Sequence, residues 1–153
     1  MKIVSGGQTG ADRAALDFAL EAQILCGGWC AEDRVAEDGV IPGQYPVVPL
    51  PGADNAARTR QNVLDSDATV IFFAQMQAGT ELTRQAAVEA RKPLLLIDAA
   101  IESIPQACQR LEDFISAPGV RTLNIAGPRA SEAPGVYDYV LQTLRLCAVW
   151  LKR

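Results

Sequence analysis

The first residues read MKIVSGGQTGADRAALDFALEAQ, numbered 1–23, and this stretch sets the fold class. Ile3 and Val4 begin an apolar strand, and a glycine-rich loop, residues 5–10, follows directly. From Ala11 to Gln23 charged residues recur at a spacing of four, which predicts an amphipathic helix. The start of a helix after a glycine loop favours anions, because unpaired N–H groups and a partial positive charge lie there. The stretch therefore predicts a strand, a ligand-binding loop and a helix.

Short apolar runs alternate with helical patterns along the rest of the chain. Further strands are predicted at 25–29, 69–73, 94–97 and 122–126, and helices at 55–64, 80–91, 103–116 and from Pro134 to the end. Strands that are apolar throughout are buried on both faces. Their alternation with helices predicts a Rossmann-like three-layer α/β fold with a mainly parallel sheet of about five strands. Ligands bind at the carboxyl ends of the strands in such sheets, so the loops after strands are the candidate site.

The composition excludes several classes of protein. The 153 residues include no His, which excludes His-ligated metals, a Ser-His-Asp triad and an imidazole base. The net charge of −4 argues against nucleic acid as a partner. No run of about 18 apolar residues predicts a membrane span. The start of the chain lacks a secretory signal pattern, so a cytoplasmic location and one domain, residues 1–153, are expected.

The cysteines and the arginines give weaker signals. The four Cys are scattered without a CxxC pair, so they are expected to be small buried residues, and no metal site is predicted. Eleven Arg stand against three Lys. Arg is the better planar partner for phosphate and carboxylate, so this bias is compatible with an anionic ligand.

Residues 31–53 show no clear periodicity and contain four Pro and three Gly. Irregular loops longer than about 12–15 residues are uncommon in compact domains and are usually functional or disordered. Arg34, Glu37, Asp38 and Tyr45 give this segment more polar and aromatic character than a linker needs. We expect a flap over the ligand site, with an assembly contact and disorder as the alternatives.

Three further segments carry candidate ligand contacts. Arg58 and Asn62 share one face of the second predicted helix, with Thr59 beside them, and this face points either at the glycine loop or at solvent. Ala78-Gly79-Thr80 repeats the pattern of a Gly and a hydroxyl at a helix start. Gly127-Pro128-Arg129 follows the last strand. The glycine loop of residues 5–10 and the loop at Ala78-Gly79-Thr80 are expected on neighbouring strands, on either side of one crevice. Asp12 has two interpretations: it stabilises the helix dipole, or it binds a ligand hydroxyl or orders Arg13.

The chain resembles the family of molybdenum-cofactor carriers, which belongs to the SLOG and lysine-decarboxylase-like Rossmannoid superfamily. The motifs that carry the resemblance are, in chain order, Ser5-Gly6-Gly7-Gln8-Thr9-Gly10-Ala11-Asp12-Arg13, Gly27-Gly28-Trp29-Cys30, Ala36-Glu37-Asp38-Gly39 with Ile41-Pro42 and Tyr45, Arg58-Thr59 with Asn62, Ser66-Asp67-Ala68-Thr69, Gly79-Thr80 with Thr83, Lys92-Pro93 and Asn124-Ile125-Ala126-Gly127-Pro128-Arg129. They span nearly the whole chain. Two departures stand out: Ala31-Glu32-Asp33-Arg34 where the family usually has Pro-Lys-Gly-Arg, and Ala78 where it favours Gly.

The resemblance implies a phosphorylated pterin or nucleotide as ligand, with molybdenum cofactor as the leading candidate. It also implies a homo-oligomer, and molybdoenzymes as further candidate partners. The expected ligand-binding residues are Gly6, Gly7, Gln8, Thr9, Gly10, Asp12, Arg13, Glu37, Asp38, Arg58, Thr59, Asn62, Gly79, Thr80, Thr83, Gly127 and Arg129.

Two other functions compete with a carrier. One is an enzyme that resembles the nucleoside-monophosphate phosphoribohydrolases, which use the loop Gly-Gly-x-Gly-Thr-x-x-Glu. In that register the carboxylate position falls on Thr83, and Glu81 lies two residues early, on another face of the helix. Asp12, Glu37 or Asp38 would have to substitute. The other alternative is a nucleotide-sensing interaction module.

Overall fold

The computed structural model describes residues 1–153, which form eight strands and six helices. In chain order they are β1 (Lys2–Val4), α1 (Ala11–Glu21), β2 (Leu25–Cys30), β3 (Val35–Ala36), β4 (Gly39–Val40), β5 (Val47–Pro49), α2 (Asn55–Leu64), β6 (Ala68–Phe73), α3 (Ala78–Glu89), β7 (Leu94–Asp98), α4 (Ile104–Ile115), β8 (Thr122–Ala126), α5 (Val136–Leu146) and α6 (Ala148–Leu151).

Six of the strands form one sheet in the order β5-β2-β1-β8-β6-β7. Every pairing within this sheet is parallel. Helices α1, α4 and α5 pack together, and α2 packs with α3. The predicted Rossmann-like α/β fold is therefore confirmed. The sheet has six strands rather than about five, because β5 pairs with β2 through Gly28 and Val47.

The helix boundaries follow local backbone chemistry. Helix α1 ends at Glu21, two residues before the predicted end, and Gln23 has a left-handed φ of 57°. The side chain of Ser103 accepts a hydrogen bond from the N–H of Gln106, and the Gln106 side chain accepts one from the Ser103 N–H. This reciprocal cap defines the start of α4.

The main core lies between the sheet and the helices α1, α4 and α5. Fully buried strand residues such as Ile3 and Ile125 belong to one apolar cluster with Phe18 of α1 and the helical residues of this layer. Helices α5 and α6, with the residue between them, supply Val140, Leu141, Leu144, Cys147 and Leu151 to it. The apolar face of this C-terminal segment therefore packs within the chain.

Residues 31–53 are ordered rather than an irregular loop. They contain the hairpin of β3 and β4 and the edge strand β5. The guanidinium of Arg34 donates hydrogen bonds to the backbone carbonyls of Ile41, Pro42, Tyr45 and Val47. The strands of this segment are only two or three residues long, so the side chain of Arg34 contributes much of what stabilises it.

No helix combines the length and the hydrophobicity that crossing a lipid bilayer requires.

Candidate functional site

A cleft of about 350 Å³ opens at the carboxyl ends of β1, β8 and β6. The glycine loop and the start of α1 bound it on one side, and the N-terminal turns of α2 and α3 bound it on the other. Strand β8 lies between β1 and β6, so the two glycine loops are not on neighbouring strands as expected. The loop after β8 separates them, and all three loops line the same cleft.

Nine of the predicted binding residues line this cleft: Gln8, Asp12, Arg58, Thr59, Gly79, Thr80, Thr83, Gly127 and Arg129. Seven further residues line the cleft that were not among the expected binding residues, although Ala78, Ala126 and Pro128 lie in the motifs that the sequence singled out: Asn55, Ala56, Ala78, Leu82, Ala126, Pro128 and Glu132. Glu132 lies three residues after Arg129, in the turn that precedes α5, and accepts its hydrogen bond at 2.7 Å.

Arg58 and Asp12 form a buried ion pair at one wall of the cleft. The Arg58 Nη1 atom lies 3.5 Å from the Asp12 Oδ2 atom, and the side chains are 13% and 5% exposed. Burial raises the pKa of Asp12, and the positive charge of Arg58 acts against that rise. Asp12 therefore pairs with Arg58 of α2, whereas Arg13, one of the alternatives that the sequence left open for Asp12, pairs with Asp38.

Gly6 makes room for this pair. A Cβ atom at position 6 would overlap the guanidinium of Arg58, so only glycine lets that group lie across the loop. The same contact shows that the Arg58 face of α2 points at the glycine loop and not at solvent, which was the choice left open by the sequence.

Two buried polar atoms in the cleft wall lack a hydrogen-bond partner. They are the Nε atom of Arg58 and the Oγ1 atom of Thr80. Unpaired buried polar groups are costly, typically about 1–3 kcal/mol each, so they are uncommon outside functional sites. Both residues line the same cleft.

The start of α3 presents further donors beside these atoms. Its N-cap residue, Gln77, makes no side-chain hydrogen bond to the helix start. Ala78, Gly79 and Thr80 all line the cleft. No atom lies within 4 Å of the position that a Cβ of Gly79 would take, so the backbone there is open to a ligand. An uncapped helix start with open backbone beside an arginine is suited to an anion.

The loop of residues 5–10 uses several of its donors internally. The N–H of Gln8 donates to Asp12, and the N–H of Thr9 donates to the side chain of Gln8. The N–H of Ala11 donates to the carbonyl of Pro128. The loop is therefore held by its own side chains and by the loop after β8, and it is less open to an anion than the start of α3.

The β3–β4 hairpin is fastened onto this glycine loop. Arg13 forms two hydrogen bonds to Asp38, at 2.9 and 3.0 Å, and a third to the carbonyl of Gly7. Glu37 accepts hydrogen bonds from the hydroxyls of Thr9 and Ser131. These hydroxyl bonds lower the pKa of Glu37, and the bonds from Arg13 lower the pKa of Asp38. Thr9, Arg13, Glu37 and Asp38 were expected to bind the ligand. In the structure their side chains hold the hairpin against the glycine loop.

Three other predicted residues have partners within the protein. The amide of Asn62 is 2% exposed and pairs with both the N–H and the carbonyl of Trp29, at 2.7 and 2.9 Å. The hydroxyls of Thr59 and Thr83 donate to backbone carbonyls four residues earlier in their helices. Asn62 therefore holds α2 against β2, while the two threonines shape the cleft wall.

Arg129 lies at the rim. Its Nε atom donates to Glu132 at 2.7 Å and lies 3.7 Å from Glu37, and the side chain is 48% exposed. Two carboxylates already offset its charge, whereas Arg58 has one and keeps an unpaired N–H. Arg58 is accordingly the better counter-charge for a buried anion.

Residues 3–148 match the model of the circularly permutated YpsA SLOG family. No functionally curated protein matches the chain. A crystal structure from Syntrophus aciditrophicus SB, described as a "Putative molybdenum carrier protein", is 42% identical to the chain and superimposes with a TM-score of 0.93. The match covers 95% of this chain and 93% of that one. The family model spans nearly the whole sequence, and the chain belongs to the circularly permuted YpsA SLOG family.

Proposed function

We propose that the chain is a binding or carrier protein for a phosphorylated pterin or nucleotide, with molybdenum cofactor as its ligand. The observation that carries the proposal is the pair of unpartnered buried atoms, Arg58 Nε and Thr80 Oγ1, in one cleft wall. We assign a phosphate of the ligand as the hydrogen-bond acceptor for these two groups. It would also meet the open start of α3, where the helix dipole favours negative charge.

Other residues of the cleft are suited to the ring system of the ligand. Gln8 and Asn55 both line the cleft, but the Gln8 Oε1 atom already accepts from the N–H groups of Thr9 and Glu37, so we assign the edge of a heterocycle to the amide of Asn55. The dithiolene that holds molybdenum belongs to the pterin, so the absence of His from the chain is no objection. The chain's own role is to hold the phosphate and the ring system. The 42% identical neighbour, described as a "Putative molybdenum carrier protein", supports this choice of ligand.

The competing phosphoribohydrolase activity has less support at the start of α3. The Glu81 carboxylate forms hydrogen bonds with Arg84 at 2.5 and 2.8 Å, and Glu81 does not line the cleft. Thr83 takes the position where the family loop has its carboxylate, and its hydroxyl donates to the Gly79 carbonyl. Hydrolysis of a nucleoside monophosphate, measured as release of free base, would nevertheless replace the carrier proposal with an enzymatic one.

The first experiment is an inventory of what the protein carries. Protein purified without oxygen is denatured, and the released small molecules are identified by mass spectrometry while molybdenum is measured in parallel. We expect a pterin and molybdenum in equal amounts. A nucleotide without molybdenum would support the sensor alternative instead.

The second experiment tests the phosphate contact. Arg58→Gln should weaken binding of molybdenum cofactor, released anaerobically from a denatured molybdoenzyme, by about 10- to 100-fold, because a charge-assisted hydrogen bond contributes about 1.5–3 kcal/mol. Arg60→Gln is the matched control, since Arg60 is an exposed residue of the same helix. Equal affinities for the two variants would place the phosphate elsewhere.

Two expectations about partners belong to this proposal. A carrier must pass its cargo on, so the loaded protein should restore activity to a molybdoenzyme that lacks its cofactor. Self-association stays a prediction that light scattering would test, and the segment 31–53 stays the proposed flap over the ligand.

A further inference from the structure

Two of the four cysteines lie together with a carboxylate, far along the chain from the glycine loops. Cys108 and Glu112 are one turn apart on α4, and Cys147 lies at the junction of α5 and α6. The Cys108 and Cys147 sulfur atoms and a Glu112 carboxylate oxygen all lie within 4.8 Å of one another. None of the three residues lines the cleft.

We propose that Cys108, Glu112 and Cys147 bind a thiophilic divalent cation, with Zn²⁺ as the natural candidate. Zinc accepts thiolate and carboxylate ligands together, at about 2.3 Å from sulfur and about 2.0–2.2 Å from oxygen. Two ligands to one tetrahedral ion lie somewhat under about 4 Å apart. The three atoms, all within 4.8 Å of one another, are close to that spacing. The scattered spacing of the cysteines gives no metal motif, and the fold brings them together.

The present contacts show that the three groups already face one another. The Cys108 thiol donates to the Glu112 carboxylate at 3.3 Å, and the Cys147 thiol donates to the carbonyl of Cys108 at 3.6 Å. An entering ion takes the place of the two thiol protons.

The charge balance favours a divalent ion over a monovalent one. Both cysteines belong to the main apolar core, and Cys147 is fully buried. An uncompensated charge there is costly. A divalent ion with two thiolates is neutral, whereas a monovalent ion would leave a negative charge. Glu112 is half-buried, so its extra charge reaches solvent, and a water molecule can complete the fourth position from that side.

The experiment uses the full chain, stripped of metal and kept reduced with a phosphine. Co²⁺ is the probe, because thiolate ligands give it a charge-transfer absorption band. We expect one Co²⁺ per chain with this band, and displacement of the Co²⁺ by Zn²⁺. Cys108→Ala should abolish the band. Glu112→Gln should weaken Co²⁺ binding at least tenfold, since it removes one of three ligands.

The other two cysteines provide the matched control. A Cys26→Ala, Cys30→Ala double variant should bind Co²⁺ as the wild type does, because neither residue belongs to the cluster. Glu112→Gln keeps the test decisive if an alanine at a buried cysteine prevents folding. The proposal is overturned if wild-type protein gives no thiolate band. It is equally overturned if the Cys26/Cys30 variant loses the band, or if Glu112→Gln binds Co²⁺ unchanged.

Discussion

At the scale of single residues, most polar side chains in the cleft wall already form hydrogen bonds or ion pairs within the protein. Arg58 meets Asp12, and Thr59 and Thr83 bond to their own helices. Against this background the unpaired atoms of Arg58 and Thr80 are the two exceptions. Most polar side chains around the cleft therefore build it, and these two are available to the ligand.

Thr80→Val should change stability and binding in opposite directions. The Thr80 hydroxyl is buried without a partner, so its replacement by a methyl group should raise the free energy of unfolding, by about 1 kcal/mol. The same change should weaken the ligand about 2- to 10-fold, because one hydrogen bond to the phosphate is lost. Urea unfolding and calorimetric titration measure the two effects.

Thr83→Val is the control for that variant. Its hydroxyl already donates to the Gly79 carbonyl at 3.2 Å, so its loss should lower stability rather than raise it. A Thr80→Val protein that is less stable and binds normally would mean that the hydroxyl has an internal role.

Asp12→Asn should show the cost of a buried carboxylate as a pH dependence. Burial raises the pKa of Asp12, so the folded state holds its proton more tightly than the unfolded state does. Protonated Asp12 therefore contributes to the free energy of unfolding. This contribution is complete below the ordinary pKa of aspartate and is lost as the pH rises through the raised pKa of the folded state. Asparagine does not titrate. The stability of the variant relative to the wild type should therefore increase over that window, as urea unfolding at a series of pH values would show. A difference that stays constant with pH would contradict this account.

Residue identities were easier to predict than residue partners. The site residues Asp12, Arg58 and Thr80 follow from sequence motifs, whereas the partner of Asp12 does not. Arg13 is its neighbour in sequence, but Asp12 pairs with a residue 46 positions away. That pairing depends on how α2 crosses the glycine loop, and no local spacing encodes it.

At the scale of elements, the regular segments were predictable and the segment 31–53 was not. Helix α2 and strand β8 begin and end at the predicted residues: the side chain of Asp54 caps the start of α2, and β8 is a short, mostly apolar run. Strands β3 and β4 have two residues each, too few to show a period. Strand β5 is a strand because it pairs with β2, a tertiary effect.

Arg34→Lys should loosen this segment without unfolding the sheet. The Arg34 guanidinium donates to four backbone carbonyls, whereas a lysine amine has three donors on a single point and cannot span them. We expect faster amide hydrogen exchange across residues 35–47, with little change in β8 and β6. Arg60→Lys, at an exposed position, should leave both regions unchanged. Uniformly faster exchange would show that the segment is part of the main cooperative unit.

At the scale of the whole molecule, the sheet order places the cleft. The chain builds β1, β2 and β5 towards one edge, crosses to β6 and β7, and returns to insert β8 between β1 and β6. The loops that follow β1, β8 and β6 therefore converge at one end of the sheet, where ligands bind in open α/β folds. The sequence predicts the parallel sheet but not this order, since the contacts that place β8 lie more than 50 residues away along the chain.

The same architecture predicts that the fold tolerates a change in connectivity far from the cleft. Met1, Trp150 and Arg153 line one groove at the opposite end of the sheet, so a short linker can join residues 153 and 1. A new opening between Pro118 and Gly119 falls in an exposed loop before β8. Such a permutant keeps every sheet pairing, and exposed loops are where permutation succeeds. We expect one cooperative unfolding transition with an unchanged denaturant slope, as a single domain requires, and unchanged ligand affinity.

An opening between Ala130 and Ser131 is the informative contrast, because the N–H groups of these residues donate to Thr9 and Glu37. It should fold and bind poorly, and equal binding by both permutants would show that the fastening of the hairpin does not serve the cleft.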